Sequence, residues 1–195
     1  MATVIDISYR DHNVKPDYVQ TKNERGLNYV KDSAKAKAIN NAVWWLKNHE
    51  VVVGLTSSAP SRSKMLFAIH EKGSPLMNIP ARTIFTPEFK AKLKTEAESQ
   101  LEAAIKHAKN ANLEGVKECF EVIGWKSVEA IKARIDAHIP PENSPITLHG
   151  GWMRSPITHK IIYVEGKKGD IPLVNTGQYR DSFSYEVRYR KASQK

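Results

Sequence analysis

The stretch TPEFKAKLKTEAESQLEAAIKHAKNANLEGVKECFEVIGWKSVEAIKARIDAH, running from Thr86 to His138, decides how the rest of the chain must fold. Thr86 followed by Pro87 marks a helix start. The threonine hydroxyl accepts a free backbone N–H of the first turn, and proline at the first helical position lacks an N–H that would go unbonded anyway. Phe89, Leu93, Ala97, Leu101, Ala104 and Ala108 then recur every three or four residues and give one apolar face through Ala111. Asn112 interrupts the pattern. A second helix is predicted from about Leu113 to His138, with Val116, Phe120, Ile123, Val128, Ile131 and Ile135 as its face. Two long helices with almost no linker predict an antiparallel pair or one kinked rod. Glu88, Glu96, Glu98, Glu102, Glu114, Glu118, Glu121 and Glu129 alternate with lysines such as Lys92, Lys94, Lys106 and Lys117. They read as a solvated face with i,i+4 support, for example Glu102 with Lys106.

On the N-terminal side, Ala34, Ala38, Ala42, Trp45 and Leu46 predict a short amphipathic helix over Ser33–Asn48, capped by Asp32 or Ser33. The β-branched run VVVGLT (Val51–Thr56) predicts a buried strand. Ser57–Ser63 reads as a loop, and Met65–Ile69 fits a strand or a helical turn equally. Pro80 keeps Asn78–Phe85 extended. Residues 1–32 lack a period and are expected to be an arm or an early strand (Thr3–Ser8), ordered by contacts with something else.

On the C-terminal side, PPENSPITLHGGW predicts a stiff, extended, proline-rich loop over 140–158. A strand follows over His159–Val164. Pro172 and Leu173 then lead to a turn at Asn175-Thr176-Gly177, in which Gly177 is expected to take a positive φ. The last strand, Phe183–Tyr189, alternates Phe183, Tyr185, Val187 and Tyr189 inward against a polar row of Ser182, Ser184, Glu186, Arg188 and Arg190. Strands at both ends with helices between them make the class α+β. Residues 33–195 are expected to form a single domain.

The chain has 195 residues and a net charge of +9. By segment the balance is +2 over 1–50, +3 over 51–86, 0 over 87–139 and +4 over 140–195. The long helices are therefore neutral, and the excess lies on their flanks. Such a balance favours nucleic acid or an acidic protein surface as a partner. The mixed cationic and aromatic end RYRKASQK reads as a phosphate-contacting tail or as a charged strand end protected from aggregation. No apolar run approaches the roughly 20 residues of a membrane span, and the N-terminus lacks the apolar stretch of a signal peptide. One cysteine, Cys119, excludes an internal disulfide and a cysteine-based zinc site.

Catalytic signals are weak. His70-Glu71 has no second histidine at the HExxH spacing and reads as a strand end with a polar turn before Gly73. The seven histidines are scattered, GG at 150–151 and GKKG at 166–169 match no phosphate loop, and Cys119 falls on the second helix's apolar stripe. No catalytic, cofactor-binding or metal residue is assigned. A hydrolase using His70 and Glu71 and a free, non-specific DNA-binding module remain the competing functions.

Four stretches in order, VVVGL (51–55), AIHEKG (68–73), NIPARTIF (78–85) and PLVNTGQYRDSFSYEV (172–187), resemble the neck and tail-completion proteins of tailed bacteriophages. These virion morphogenesis or minor tail components also match in the long helices and in PPENSPITL (140–148). The likeness spans roughly residues 50–190. It departs at Thr83, where the family has proline, and in the N-terminal segment. The resemblance implies a curved antiparallel sheet packed on two long helices with an N-terminal arm. It also implies a non-catalytic ring of six or twelve copies in the virion, at the neck or top of the tail, made in the host cytoplasm. The expected partners are copies of itself, neighbouring connector, terminator or tail proteins, and genomic DNA passing through the channel without sequence preference. No membrane or cofactor is implied. Pro172, Leu173, Thr176, Gly177 and Ser182 are then the assembly and turn motif. Arg82, Arg180, Arg188, Arg190 and Lys191 become candidates for contact with a neighbouring subunit or the channel.

Overall fold

A computed structural model describes residues 5–7, 21–23, 26–28, 34–167, 169–174 and 176–190. Most of the expected arm, the Asp32/Ser33 cap, Asn175, Lys191 and the C-terminal tail lie outside the described residues. The chain is mixed helix and antiparallel sheet, the α+β class that the sequence predicts.

The elements in order are strands β1 (Ile5–Ile7), β2 (Thr21–Asn23) and β3 (Gly26–Asn28), helix α1 (Ala34–Asn48), strand β4 (His49–Gly54) and helix α2 (Ser61–Lys72). The long helices α3 (Pro87–Lys109) and α4 (Leu113–Asp136) follow, then α5 (Pro145–His149), β5 (Gly151–Arg154), β6 (Ile161–Val164), α6 (Gln178–Asp181) and β7 (Ser184–Tyr189). The strands form a three-stranded sheet in the order β1-β4-β7 and two hairpins, β2-β3 and β5-β6. Ser184 meets Thr56 while Arg188 meets Glu50 and Arg190 meets Asn48, so β7 runs antiparallel to β4.

The helix signals act as the sequence predicts. Phe89 N–H donates to Thr86 Oγ1 at 3.3 Å, and Gly115 N–H donates to Asn112 Oδ1 at 2.9 Å, so each long helix begins on a side-chain cap. Asn112 is thus both the break and the next start. Beyond it α4 returns to bring Arg134 to the beginning of α3, where its guanidinium lies 4.8 Å from the Phe89 ring centre. The pair is antiparallel.

Two compact units emerge among the described residues. One comprises Ile5, 53–93 and 126–185, and its core holds Phe67, Phe85, Phe183, Ile84, Leu93, Ile131 and Ile135. The other comprises 6–7, 21–23, 26–28, 34–52, 94–125 and 186–190, with Leu46, Val51, Val52, Leu101, Ala104, Val116 and Phe120 buried. In the latter, Trp45 stacks on His49 at 4.1 Å and meets Phe120 edge-on at 5.0 Å.

Of the two readings open for Met65–Ile69, the helical one holds. Five expectations are corrected. The Ser57–Ser63 loop stops at Pro60, and His70-Glu71 ends a helix rather than a strand. Of α2 only Ser63 and Phe67 are buried while Met65 is 56% exposed, so no apolar stripe was there to betray the period. The 140–158 segment is not a bare extended loop, because it contains α5 and β5. Gly177 leads into the short helix α6 before the strand. Finally, β7 does not bury one face: apart from exposed Tyr189 it is half-buried throughout, because Ser184 and Arg188 find polar partners on or beside β4.

Candidate functional site: a polar junction of four motifs

Three of the four ordered motifs, AIHEKG, NIPARTIF and most of PLVNTGQYRDSFSYEV, come together with PPENSP in the unit that holds 53–93 and 126–185. At the end of α2 the chain turns through Gly73, whose φ of +72° favours glycine. A Cβ at that position would lie 2.9 Å from Ala81 N and 2.9 Å from Ile79 O. The turn closes by Ser74 N–H to Ile79 O at 2.8 Å and Ile79 N–H to Ser74 O at 3.0 Å. AIHEKG and NIPARTIF are thereby folded back on each other.

Glu71 fastens this return. Its Oε1 accepts from Ile84 N–H at 2.7 Å and Phe85 N–H at 3.3 Å, while Arg82 N–H donates to His70 O at 2.6 Å and Thr83 Oγ1 to Glu71 O at 3.3 Å. Ile84 and Phe85 are buried, so no water satisfies those two amides. Arg134 of α4 completes the knot by donating from Nε to Ile84 O at 2.7 Å.

Arg82, itself buried, reaches PPENSP. Its Nε donates to Pro141 O at 2.7 Å and its Nη2 to Glu142 O at 2.9 Å, which ties PPENSP to the NIPARTIF run. Burial lowers the Arg82 pKa, partly offset by the charge of Glu142. Asn143 Nδ2 donates to Asp170 O at 2.6 Å, and Lys167 Nζ to Val174 O at 2.9 Å, so the chain approaching Pro172 is anchored to the same region.

The fourth motif enters through Tyr179 and α6. The Tyr179 ring packs 5.6 Å from that of His70 and 5.4 Å from that of Phe183. Burial pushes the His70 pKa down to about 4, helped by the Arg82 charge; burial and then Glu71 push the Tyr179 phenol up. Both groups are therefore neutral near pH 7. His70 Nδ1 and Tyr179 Oη are buried without hydrogen-bond partners among the described residues.

This chemistry is that of a structural joint. Glu71 is committed to backbone amides and so is not placed as a proton carrier. Cys119 is buried, and burial followed by the Glu118 charge raises its thiol pKa, which disfavours the nucleophilic thiolate.

The predicted site residues are placed as follows. Pro172 is fully buried, Leu173 takes a φ of +67°, Thr176 is exposed, and Gly177 adopts φ +80°. Ser182 Oγ donates to Tyr179 O at 2.6 Å and closes α6. The described candidate cations bond to different partners within the chain. Arg82 is in the junction, and Arg180 forks onto Asp136 with two bonds of 2.7 Å and reaches Asp181 at 3.0 Å. Arg188 pairs with buried Glu50 at 3.0 Å. Arg190 donates its backbone N–H to Asn48 O at 2.7 Å, while its Nε and Nη2 find no partner among the described residues. Sequence reasoning missed Glu71 as a clamp, Tyr179 and Arg134. Nothing local marks these roles, because Ile84 lies 13 positions from Glu71 and 50 from Arg134, and His70 lies 109 from Tyr179.

Among the described residues no helix is long and apolar enough to cross a membrane, and no group of three or more histidine, cysteine or acidic side chains is placed to hold a metal ion. No protein-family model, no curated protein and no solved structure matches the chain.

Proposed function

We propose that the chain is a non-catalytic structural subunit of a tailed-phage virion, assembled as a ring of six or twelve at the neck or top of the tail around the DNA channel. In this reading the β1-β4-β7 sheet is curved against α3 and α4, and the N-terminal arm reaches a neighbouring subunit. Connector, terminator or tail proteins flank the ring, and genomic DNA passes through it without sequence-specific contact. One observation supports the reading above all: three of the four ordered motifs, together with PPENSP, are physically one joint, held by Glu71, Arg82 and the His70–Tyr179 contact. A ring subunit needs a rigid frame and complementary edges rather than a nucleophile.

Electron microscopy of purified protein or of the virion tests this directly. A ring of six-fold or twelve-fold symmetry at the neck is expected, and deletion is expected to leave filled heads and finished tails unjoined. A protein absent from particles, or normal infectivity after deletion, overturns the proposal. Duplex binding under a salt titration separates it from a free DNA-binding module, which requires useful affinity near physiological salt. Arg82, Arg180 and Arg188 already bond within the chain, so weak binding is expected.

A further inference from the structure

The seam between α2 and α6 holds two buried polar atoms that have no hydrogen-bond partner among the described residues. They are His70 Nδ1, in the last turn of α2, and Tyr179 Oη, on α6. The two rings are 5.6 Å apart, and Tyr179 is only 7% exposed. Buried polar groups are nearly always bonded, so an unpartnered pair facing one seam calls for a reason.

What the seam tolerates depends on the protonation of His70. A neutral imidazole can carry its one proton on Nε2 and leave Nδ1 as a bare lone pair, whereas the imidazolium carries an N–H on both nitrogens. At Nδ1 that second N–H finds no acceptor and no water, so the closed seam disfavours the charged ring. The surrounding charges act in the same direction. Arg82, whose backbone N–H holds His70 O at 2.6 Å, places its positive charge close enough to be felt by the ring. Glu71, the next residue, is bonded to the Ile84 and Phe85 amides. On α6, Arg180 is bonded to Asp181 and to Asp136 of α4. Glu142 and Lys167 interact with the Arg82 charge, the first favourably and the second unfavourably. Among the described residues no carboxylate is bonded to the imidazole, and burial together with Arg82 lowers its pKa to about 4.

Helix α6 is the part that can yield. It has four residues, starts at Gly177 in the left-handed region and packs Tyr179 against His70. So short a helix has little stability of its own and belongs to the segments that open first.

We propose that α2 and α6 form an acid-sensitive latch, in which protonation of His70 swings Tyr179 and α6 off the end of α2 while the long helices and the Glu71 clamp stay in place. Water in the open seam satisfies the new Nδ1–H and the Tyr179 hydroxyl together. Arg180, held by Asp136 on α4, is the pivot. The latch is independent of the ring reading.

Hydrogen exchange of the full chain, read amide by amide at pH 7 and pH 5 and corrected for the intrinsic rate, tests it. The reporters are Asp181 and Ser182, whose N–H groups bond to Gly177 O and Gln178 O. The closed ring titrates at about 4 and the open one at the ordinary 6.5, so the open form binds more protons and opening is favoured as pH falls. Between pH 7 and pH 5 the protection of both reporters is expected to fall roughly 20-fold, while the amides of α3 keep theirs. In His70→Gln that fall should disappear; the other histidines titrate in both chains and cancel. Tyr179→Phe loses only the unpartnered hydroxyl and should keep the parent's pH dependence. A fall below about 3-fold in the parent, an equal fall in α3, or an undiminished fall in His70→Gln overturns the latch. If His70→Gln does not fold, NMR titration of His70 in the parent decides. Protonation near pH 4 with loss of α6 protection supports the latch, and protonation near 6.5 overturns it.

Discussion

Removal of the Glu71 carboxylate is the sharpest test of the junction. Glu71→Ala leaves two buried amides, those of Ile84 and Phe85, without an acceptor. A hydrogen bond to a charged group contributes about 1.5–3 kcal/mol, and a buried amide left unsatisfied costs about 1–3 kcal/mol. The 2.7 Å bond from Ile84 carries most of this, and the 3.3 Å bond from Phe85 adds a smaller share. The expected loss is therefore about 2–4 kcal/mol. For a chain of this size 1 kcal/mol moves Tm by about 2–4 °C, so Tm should fall by roughly 4–16 °C. Glu71→Gln keeps a carbonyl acceptor and is expected to lose only about 1 kcal/mol. Denaturant unfolding, with an unchanged slope, measures the global term. Hydrogen exchange measures the local one: the Ile84 and Phe85 amides should lose protection in the alanine variant before the amides of the long helices do. A loss below about 0.5 kcal/mol with both amides still protected would refute the argument, because it would mean that the clamp carries no load.

The His70 imidazole gives a pH prediction. Its folded pKa of about 4 lies below its ordinary 6.5, so between those values the unfolded chain binds more protons than the folded one. Its contribution to stability is complete above about pH 6.5, falls as pH drops toward 4 and is flat below. The full term is about 3 kcal/mol, and in His70→Gln the slope in that window should flatten, as read from denaturation midpoints at several pH values. Arg188→Ala strands buried Glu50 and is expected to cost about 2–3 kcal/mol, with partial recovery in the double variant carrying Glu50→Gln; a midpoint unchanged by Arg188→Ala refutes the pairing. Gly177→Val forces a β-branched residue to φ +80° at a cost of about 1–3 kcal/mol, whereas Gly177→Asn should be nearly neutral. Among the described residues a Cβ there would meet only Asp181 Oδ2, at 3.4 Å, so equal destabilisation by valine and asparagine would show that crowding, not backbone conformation, governs the site.

Local periodicity and end signals determined helices α1, α3 and α4. Thr86 with Pro87, the break at Asn112 and the apolar series from Phe89 to Ile135 are each satisfied within a few residues, so they are legible without a partner. The β-branched Val51–Val53 run was legible for the same reason, as was the positive φ of Gly177. The pairing of groups distant in sequence was not. Helix α2 buries only Ser63 and Phe67, so its short apolar run carries no period, and it is the tertiary position of Phe67 against Phe85 and Phe183 that fixes it. The alternation of Ser184–Tyr189 suggested one wet face, yet Thr56 and Glu50 supply polar partners to that face and cover it. The arginines chosen as free cations are instead joints, because a guanidinium satisfies carbonyls or carboxylates brought to it from 44, 59 and 138 positions away. Sequence fixes what a residue can bond; only the folded chain decides which partner arrives.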